Sequence, residues 1–201
     1  MTRIEYFFDP GCPWTWLTSR WLVDAARNRD VEVVWRALSL KVLNEGSPPS
    51  EYDELTRNAF SALRLVAALE DAGRNDLIGE FYTAIGERVH NDGDQLTQEL
   101  IRKVATEVGA AEWLVALEAA DSDVSVRAST QEAMDLAGPG VGSPVIAWGE
   151  PKRGFHGPLV NPGPRGEAAG HLLDLILGIG EYAEFFELKR SRRDDPKLPS
   201  R

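Results

Sequence analysis

The first 38 residues follow a strand, helix, strand order, which limits the chain to folds that contain a βαβ unit. Residues 4–8 form a short apolar run that ends at the turn Asp9-Pro10-Gly11. From 13 to about 27 apolar residues recur at helical spacing, and residues 31–38 are rich in β-branched and aromatic side chains. We therefore expect two parallel strands joined by a right-handed crossover helix.

The rest of the chain is a long helical tract followed by a second group of strands. A loop at 39–49 precedes helical periodicity that recurs from 50 to 137 with no strand signal. Strand character returns at 144–148, a hairpin partner follows at 154–157, and a last helix runs from about 165 to 177. This order, β-α-β, helical insertion, β-β-α, resembles a thioredoxin fold of the α/β class. We predict a thioredoxin-like domain of residues 1–45 and 140–188, a helical insertion domain of 46–139 and a flexible C-terminal tail of 189–201.

Charge and composition exclude several kinds of partner. A net charge of −10 argues against nucleic acid, and no stretch approaches the roughly 20 apolar residues of a membrane span. The N-terminus enters a strand pattern directly without a signal peptide, and a single cysteine suits a reducing compartment, so we predict a cytoplasmic protein. The three histidines are scattered and predict no metal site. The aromatic and charged C-terminal segment leaves a homodimer open.

Cys12 is the single cysteine of the 201 residues, and it directly precedes the first predicted helix. Unpaired backbone N–H groups at a helix N-terminus favour a thiolate, although a lone cysteine is more often a small buried hydrophobe. An intramolecular disulfide is impossible, so any redox chemistry of Cys12 requires an external thiol. Pro13 suits the first helical turn, and Trp14 is placed to stack on a flat substrate.

A thioredoxin fold also implies a cis-proline that faces the reactive thiol and precedes the third core strand. Ser143-Pro144 lies at the corresponding place in the sequence. The general preference of X–Pro bonds is trans, and a proline can simply begin a strand. The resemblance to the fold therefore carries the expectation of a cis bond here.

More narrowly, the chain resembles the DsbA-like branch of the thioredoxin superfamily, and within it the mycothiol-dependent, FrnE-like nitroreductases. The resemblance rests on motifs spread over nearly the whole chain: Phe8-Asp9-Pro10, Cys12-Pro13-Trp14, Trp16, Thr18-Ser19-Arg20-Trp21, Ser39-Leu40, Leu43-Asn44-Glu45, Arg88-Val89-His90-Asn91, Gly157-Pro158, Pro164-Arg165-Gly166-Glu167 and Phe185-Phe186-Glu187-Leu188-Lys189-Arg190. It implies mycothiol or another low-molecular-weight thiol as co-substrate and a small nitro-aromatic acceptor.

The resemblance also implies which residues form the substrate pocket around Cys12: Pro13, Trp14, Trp16, Asn44, Tyr52, His90, Asn91, Ser143 and Pro144. Taken without the resemblance, Asn44 is a turn residue, Tyr52 an aromatic at a helix start, and His90 a favourable group at a helix C-terminus.

Thr15 departs from the family pattern, because the family has Cys-Pro-Trp-Cys where this chain has Cys-Pro-Trp-Thr. A mixed disulfide at Cys12 must then be resolved by an external thiol, and Thr15 can donate a hydrogen bond to the sulfur. We assign catalysis to Cys12 and Thr15 in a monothiol oxidoreductase. Two alternatives remain: a thiol-cofactor-dependent transferase or isomerase, and a non-catalytic binding module.

Overall fold

A four-stranded mixed sheet forms the centre of the computed structural model, which describes residues 1–198. Its strands are β1 (Thr2–Phe8), β2 (Val31–Ala37), β3 (Val145–Trp148) and β4 (Arg153–His156), in the order β2-β1-β3-β4. The β1 and β2 strands are parallel, with Thr2 opposite Val31, as the βαβ pattern predicts. The β3 strand is antiparallel to both β1 and β4. This is the thioredoxin sheet expected from the element order.

Seven α-helices surround the sheet in the described part of the chain: α1 (Pro13–Arg27), α2 (Leu40–Leu43), α3 (Asp53–Asp71), α4 (Asn75–Gly86), α5 (Gln98–Glu107), α6 (Asp121–Ala137) and α7 (Glu167–Ile179). The α1 helix packs against α7. Because successive side chains of a strand point to opposite faces, Ile4, Tyr6 and Phe8 join the larger hydrophobic core, whereas Phe7 joins a smaller core that includes residues of α6.

The larger core extends without a break into the helical insertion. It contains Tyr6 of β1 and Trp16 of α1 together with Leu63 of α3 and Tyr82 of α4, all fully buried. Phe8 stacks on Tyr82, with ring centroids 4.0 Å apart. The two predicted domains, thioredoxin-like and insertion, share this core. Their division into separate domains stays a prediction.

Charged side chains also connect the insertion to the sheet. Arg36 of β2 lies 2.8 Å from a carboxylate oxygen of Glu70 in α3 and 2.7 Å from one of Glu132 in α6. Lys152 contacts Glu132 at 2.9 Å and, also at 2.9 Å, Glu5 of β1. These side chains are only partly exposed, and a partly buried charge without a partner would destabilise the fold. The ion pairs give each of these charges a partner of opposite sign.

Three segments depart from the predicted elements. The expected loop at 39–49 begins with the one-turn helix α2, because the Ser39 hydroxyl accepts a hydrogen bond from the Val42 N–H. Beyond α4 the chain continues into a π-helical turn, Glu87–Asn91, and the segment Ala111–Glu118 is a 3₁₀-helix. The α6 helix ends as expected at Gly138, whose φ of 91° favours glycine.

Residues 189–198 contain no helix or strand, but they contact the body of the protein. The Asn161 side chain donates to the Asp195 carbonyl and accepts from the Lys197 N–H, each at 2.8 Å. Leu198 packs on the larger core. The predicted flexibility of 189–201 stays a prediction, and 199–201 lie outside the described residues. Within 1–198 no helix is both long and apolar enough to cross a membrane.

Candidate active site

Cys12 is the residue immediately before α1, and its backbone is extended, with φ −90° and ψ 114°. A short apolar strand and the turn at Pro10 and Gly11 deliver it to this position, and Pro13 starts the helix without needing a hydrogen-bond acceptor. The thiol lies 4.0 Å from the carbonyl oxygen of Ser143. The peptide bond between Ser143 and Pro144 is cis, as the fold resemblance predicts. The sheet thus brings residues 131 positions apart into contact.

Three hydroxyl and amide groups form a directed hydrogen-bond chain toward the sulfur. The Asp9 N–H donates to the Ser143 hydroxyl at 3.1 Å, and that hydroxyl lies 2.8 Å from the Thr15 hydroxyl. The Thr15 hydroxyl also forms a hydrogen bond with Cys12 that lowers the thiol pKa. Each hydroxyl has one proton to donate, so the Ser143 proton must go to Thr15 if the Thr15 proton goes to the sulfur. Thr15 is fully buried and thus held in this role.

The protonation of Cys12 differs from the sequence expectation. Burial raises the pKa of the thiol above its ordinary value and outweighs the hydrogen bonds from Thr15 and the Trp14 N–H, which lower the pKa. The charge of Asp9 raises the pKa further. The pKa of Cys12 is thus shifted in the direction opposite to the sequence expectation, because desolvation of the sulfur outweighs the hydrogen bonds that favour the thiolate.

Asp9 is a buried carboxyl group that the sequence analysis quoted but did not assign. Its two oxygens accept from the backbone N–H groups of Gly11 at 2.9 Å and Leu40 at 2.8 Å. Burial raises the pKa of Asp9 to about 6, while these hydrogen bonds lower it. Asp9 thereby joins the active-site turn to the start of α2. An acidic residue between an apolar strand and a Pro-Gly turn was the sequence signal for this role.

The π-helical turn delivers His90 and Asn91 to the back of the active-site loop. The His90 Nε2 donates to the Pro10 carbonyl at 2.9 Å, because that carbonyl can only accept. Burial lowers the pKa of His90 to about 4, so the ring is neutral near pH 7. The Asn91 Oδ1 accepts from the indole N–H of Trp16 at 3.0 Å, and the Trp16 ring stacks on His90.

These contacts correct two of the predicted pocket residues, Trp16 and His90, which are buried, whereas the role of the partly exposed Asn91 in the pocket stays a prediction. Trp16 is fully buried and His90 is 8% exposed, and the Asn91 side-chain oxygen already accepts from Trp16. We conclude that Trp16 and His90 position the loop that carries Cys12. A π-turn commonly marks a functional site, but its i+5 hydrogen bonds leave no periodicity that a sequence pattern reveals.

Asn44 and Tyr52 lie on the exposed side of the neighbouring helices. Asn44 ends α2 and is exposed, and Tyr52, which precedes α3, is 59% exposed. Among the described residues no hydrogen bond or ring contact joins either side chain to Cys12. The start of α3 does approach the loop, since a Cβ at Gly11 would lie 3.3 Å from Leu55 Cγ and from Ala59 Cβ. Their role in binding substrate stays a prediction.

Pro13 and Trp14 are partly exposed beside Cys12 and form the accessible wall of the site. The Arg192 guanidinium lies over the Trp14 ring, 4.9 Å from its centroid. Sequence reasoning missed this contact, because nothing local to the charged residues 189–195 indicates where they fold back. Among the residues described, no group of three or more His, Cys, Asp or Glu is placed to hold a metal ion.

A thiol at the helix start, opposite a cis-proline and beneath a helical insertion, places the molecule among the DsbA-like, thioredoxin-fold oxidoreductases. The family model described as "Rv2466c-like: Mycothiol-dependent nitroreductase Rv2466c" matches residues 11–190. The chain belongs to this family of mycothiol-dependent thiol oxidoreductases.

Individual relatives agree with this assignment at the level of the fold. "Uncharacterized protein Rv2286c" of Mycobacterium tuberculosis is 27% identical over 204 residues, covering 100% of this chain and 84% of the relative. The "probable DsbA oxidoreductase SCO1869" of Streptomyces coelicolor superimposes with a TM-score of 0.58 at 21% identity, over 98% of both chains. The cytosolic disulfide reductase DsbM of Pseudomonas aeruginosa, solved with GSH, has a TM-score of 0.58 at 15% identity, over 88% of this chain and 99% of that chain.

Proposed function

We propose that this protein is a monothiol oxidoreductase in which Cys12 exchanges disulfides with mycothiol in the cytoplasm. The observation that carries the proposal is the replacement of a second cysteine by Thr15, whose hydroxyl forms a hydrogen bond with the Cys12 sulfur. Membership of a mycothiol-dependent family supports the choice of thiol. The single cysteine supports a reducing compartment.

The proposed cycle consists of two thiol–disulfide exchanges. The Cys12 thiolate attacks one sulfur of a disulfide R–S–S–R, forms Cys12–S–S–R and releases RS⁻, which takes up a proton. An external thiol R′SH, as its thiolate, then attacks the bound R sulfur, forms R–S–S–R′ and returns the Cys12 thiolate. Cys12 ends the cycle unchanged. In each exchange the attacking sulfur is oxidised by one electron and the released sulfur is reduced by one electron. The Thr15 hydroxyl stabilises the sulfur anion in both steps.

Deprotonation of Cys12 is the demanding part of this cycle, since burial raises the pKa of the thiol. A thiol of higher pKa is less often ionised, but its thiolate is intrinsically more nucleophilic. Once the thiolate forms, the hydrogen-bond chain from Asp9 through Ser143 and Thr15 can stabilise it, and this requires no movement of the backbone. We therefore expect a thiol that is slow toward small alkylating reagents at pH 7 and yet competent in exchange.

For the electron acceptor we propose a small nitro-aromatic compound that contacts Trp14. In the reduction of a nitro to a nitroso group, the Cys12 thiol and one mycothiol supply two electrons and two protons and yield one water and the mixed disulfide of Cys12 with mycothiol. A second mycothiol then resolves that disulfide, so the balance needs no other reductant. Trp14 supports this choice, because its partly exposed indole ring lies two residues beyond Cys12. We propose that Asn44, at the end of α2, and Tyr52, which precedes α3, also contact this acceptor.

The experiment is steady-state turnover of a nitro-aromatic with mycothiol in the wild-type protein and in Cys12→Ser. We expect mycothiol oxidation that depends on Cys12 and is accompanied by loss of the nitro absorbance. Equal rates in Cys12→Ser and wild type would contradict a role for the thiol. Disulfide exchange without nitro reduction would support the monothiol cycle and contradict the proposal of a nitro-aromatic acceptor.

A non-catalytic binding module is the second candidate, and the raised pKa of Cys12 is the observation that favours it. Such a protein would bind thiols at the same place without turnover. Absence of any mixed disulfide at Cys12 after incubation with mycothiol disulfide would support this candidate over the first.

A homodimer remains part of the proposal. Tyr182, Phe186 and Leu188 are 68%, 85% and 84% exposed near the C-terminus. Burial of three such side chains in a symmetric contact would remove apolar surface from water. Sedimentation velocity of wild type and Phe186→Ser would test it, with a monomeric wild type as the contradicting result.

A further inference from the structure

Beside Cys12 the C-terminal segment forms one wall of a shallow, open cleft. The cleft has a volume of about 600 Å³ and is lined by Trp14, Arg192, Arg193, Asp194 and Asp195. This volume is in the range of sites that hold small organic molecules. We call it the Trp14 cleft.

The Trp14 cleft has a defined position, because several contacts hold the segment that forms its wall. Arg192 packs over Trp14, and Asn161 forms its two hydrogen bonds with Asp195 and Lys197. The loop that carries Asn161 is itself tied to α1, since the Thr18 hydroxyl donates to the Pro158 carbonyl at 2.9 Å. The wall and the active-site helix therefore belong to one connected unit.

The cleft is also close enough to Cys12 to hold the remainder of a molecule whose sulfur reacts there. Consecutive Cα atoms are about 3.8 Å apart, so the Cα atoms of Cys12 and Trp14 are separated by at most about 7.6 Å. A low-molecular-weight thiol in exchange with Cys12 must place its other groups against the accessible surface around Trp14. The cleft is built into that surface.

The charges that line the cleft cancel. Arg192 and Arg193 offer only hydrogen-bond donors, whereas Asp194 and Asp195 offer only acceptors. Lys197, 3.2 Å from Asp194, neutralises part of that carboxylate from outside the lining. An anion or a cation would meet a like charge as well as an opposite one, and an apolar group would desolvate four charges. A hydroxyl group both donates and accepts, so a ligand with many hydroxyls can satisfy both pairs.

We propose that the Trp14 cleft binds the uncharged, polyhydroxylated part of a sugar-bearing thiol and so selects that thiol over an anionic one. The Trp14 indole, one face of which is covered by the Arg192 guanidinium, supplies a small apolar area for the C–H groups of a sugar ring within a mainly polar lining. This inference rests on the thiol chemistry proposed for Cys12, and it adds the recognition element for the thiol. Residues 192–195, absent from the candidate residues in the sequence analysis, become specificity determinants.

The first experiment measures binding without chemistry, by isothermal titration of three reduced thiols into the full-length Cys12→Ser protein. The thiols are mycothiol, in which N-acetylcysteine is joined to an uncharged sugar–inositol unit, N-acetylcysteine methylamide, which lacks that unit, and glutathione, which is anionic. We expect mycothiol to bind at least tenfold more tightly than the other two. Equal affinities, undetectable binding of all three, or tighter binding of glutathione would overturn the inference.

Charge-matched variants locate the site. Arg193→Ala with Asp195→Ala removes one charge of each sign from the lining and should reduce mycothiol affinity to about that of the sugarless thiol. Glu184→Ala with Arg190→Ala removes the same charges from exposed positions outside the cleft and should leave it unchanged. Equal effects of the two pairs would overturn the assignment to this cleft.

Mass spectrometry of the wild type separates this inference from the proposed function. If Cys12→Ser discriminates between the thiols but wild type forms no mixed disulfide, the cleft stands and the redox proposal fails. If wild type, exposed to the symmetrical disulfides of the three thiols, forms the mixed disulfide equally well with each and Cys12→Ser does not discriminate, the redox proposal stands and the cleft fails.

Discussion

The reactivity of Cys12 depends on opposing influences that act within a few residues of the sulfur. Burial and the Asp9 charge raise the thiol pKa, whereas hydrogen bonds from Thr15 and the Trp14 N–H lower it. The carbonyl of Ser143 faces the thiol and accepts only from its protonated form. The site therefore offers the thiol an acceptor, the Ser143 carbonyl, and offers the thiolate two donors, the Thr15 hydroxyl and the Trp14 N–H.

Replacement of Thr15 by valine tests the hydroxyl that donates to the sulfur. Thr15→Val keeps the side-chain shape but removes the donor, so the pKa of Cys12 should rise further. Iodoacetamide alkylation at pH 7.5 should then slow about tenfold or more, as expected for loss of a hydrogen bond to a charged group. Thr15→Ser keeps the hydroxyl and is the control. An unchanged rate in Thr15→Val would show that the hydroxyl does not reach the sulfur.

Asp9 acts on the same thiol in the opposite sense. Asp9→Asn removes a nearby negative charge, so the pKa of Cys12 should fall and alkylation at pH 7.5 should accelerate severalfold. Asp24→Asn removes a carboxylate that instead accepts from the Gly166 N–H, and it serves as the control for net charge. Slower alkylation in Asp9→Asn than in Asp24→Asn would contradict the electrostatic account and point to loss of loop geometry.

At the scale of the elements, strands and helices followed from local patterns, whereas their functional junctions did not. The α1 helix begins at Pro13 and ends at Arg27 as its periodicity predicts. The turn at 87–91 becomes π-helical where His90 and Asn91 contact Pro10 and Trp16, residues more than 70 positions earlier. Such distant partners are invisible to a pattern that spans a dozen residues.

The end of α4 depends on a glycine that lets Trp16 approach the helix. A Cβ at Gly86 would collide with Cε3 and Cζ3 of the fully buried Trp16 ring. We expect Gly86→Ala to lower the free energy of unfolding by about 1–3 kcal/mol, the usual cost of overpacking a core. Gly178→Ala in α7 meets no atom within 4 Å and should be stabilising by up to about 1 kcal/mol through helix propensity. Urea unfolding of both variants measures the contrast, and equal effects would contradict it.

His90 makes the stability of this junction depend on pH. Its folded pKa of about 4 lies below the unfolded value of about 6.5, so its contribution is fully present above pH 6.5 and is lost as the pH falls through 4. The raised pKa of Asp9, about 6, has the opposite sign, because its contribution is present below about pH 4 and is lost as the pH rises through 6.

Comparison of wild type with His90→Gln isolates the histidine, because Asp9 contributes to both proteins. We expect the difference in unfolding free energy to shrink by on the order of 2–3 kcal/mol between pH 7 and pH 4. Chemical unfolding at several pH values measures this difference. A difference that stays constant over that range would contradict a neutral, buried His90.

At the scale of the whole molecule, the order of the elements was sufficient to predict the thioredoxin fold and its long insertion. The same order placed Ser143-Pro144 opposite Cys12, because β1 and β3 are neighbours in such a sheet. The fold-back of residues 192–195 onto Trp14 was not predictable, since hydrogen bonds of Asn161 to the backbone, and not a sequence pattern, fix it. The predicted pocket residues Trp16 and His90 are near the site but pack behind it, Trp16 from α1 and His90 from the π-turn, whose histidine donates to the Pro10 carbonyl.

We propose that Cys12 forms a mixed disulfide which only an external thiol can resolve. The most direct test is intact-mass spectrometry of the protein after exposure to mycothiol disulfide and removal of the reagent, with Thr15→Cys as the dithiol comparison. We predict that wild type carries one mycothiol on Cys12 until reduced thiol is added, whereas Thr15→Cys expels it within the observation time by internal attack. Spontaneous loss of the adduct from wild type, or no adduct in either protein, would contradict the account.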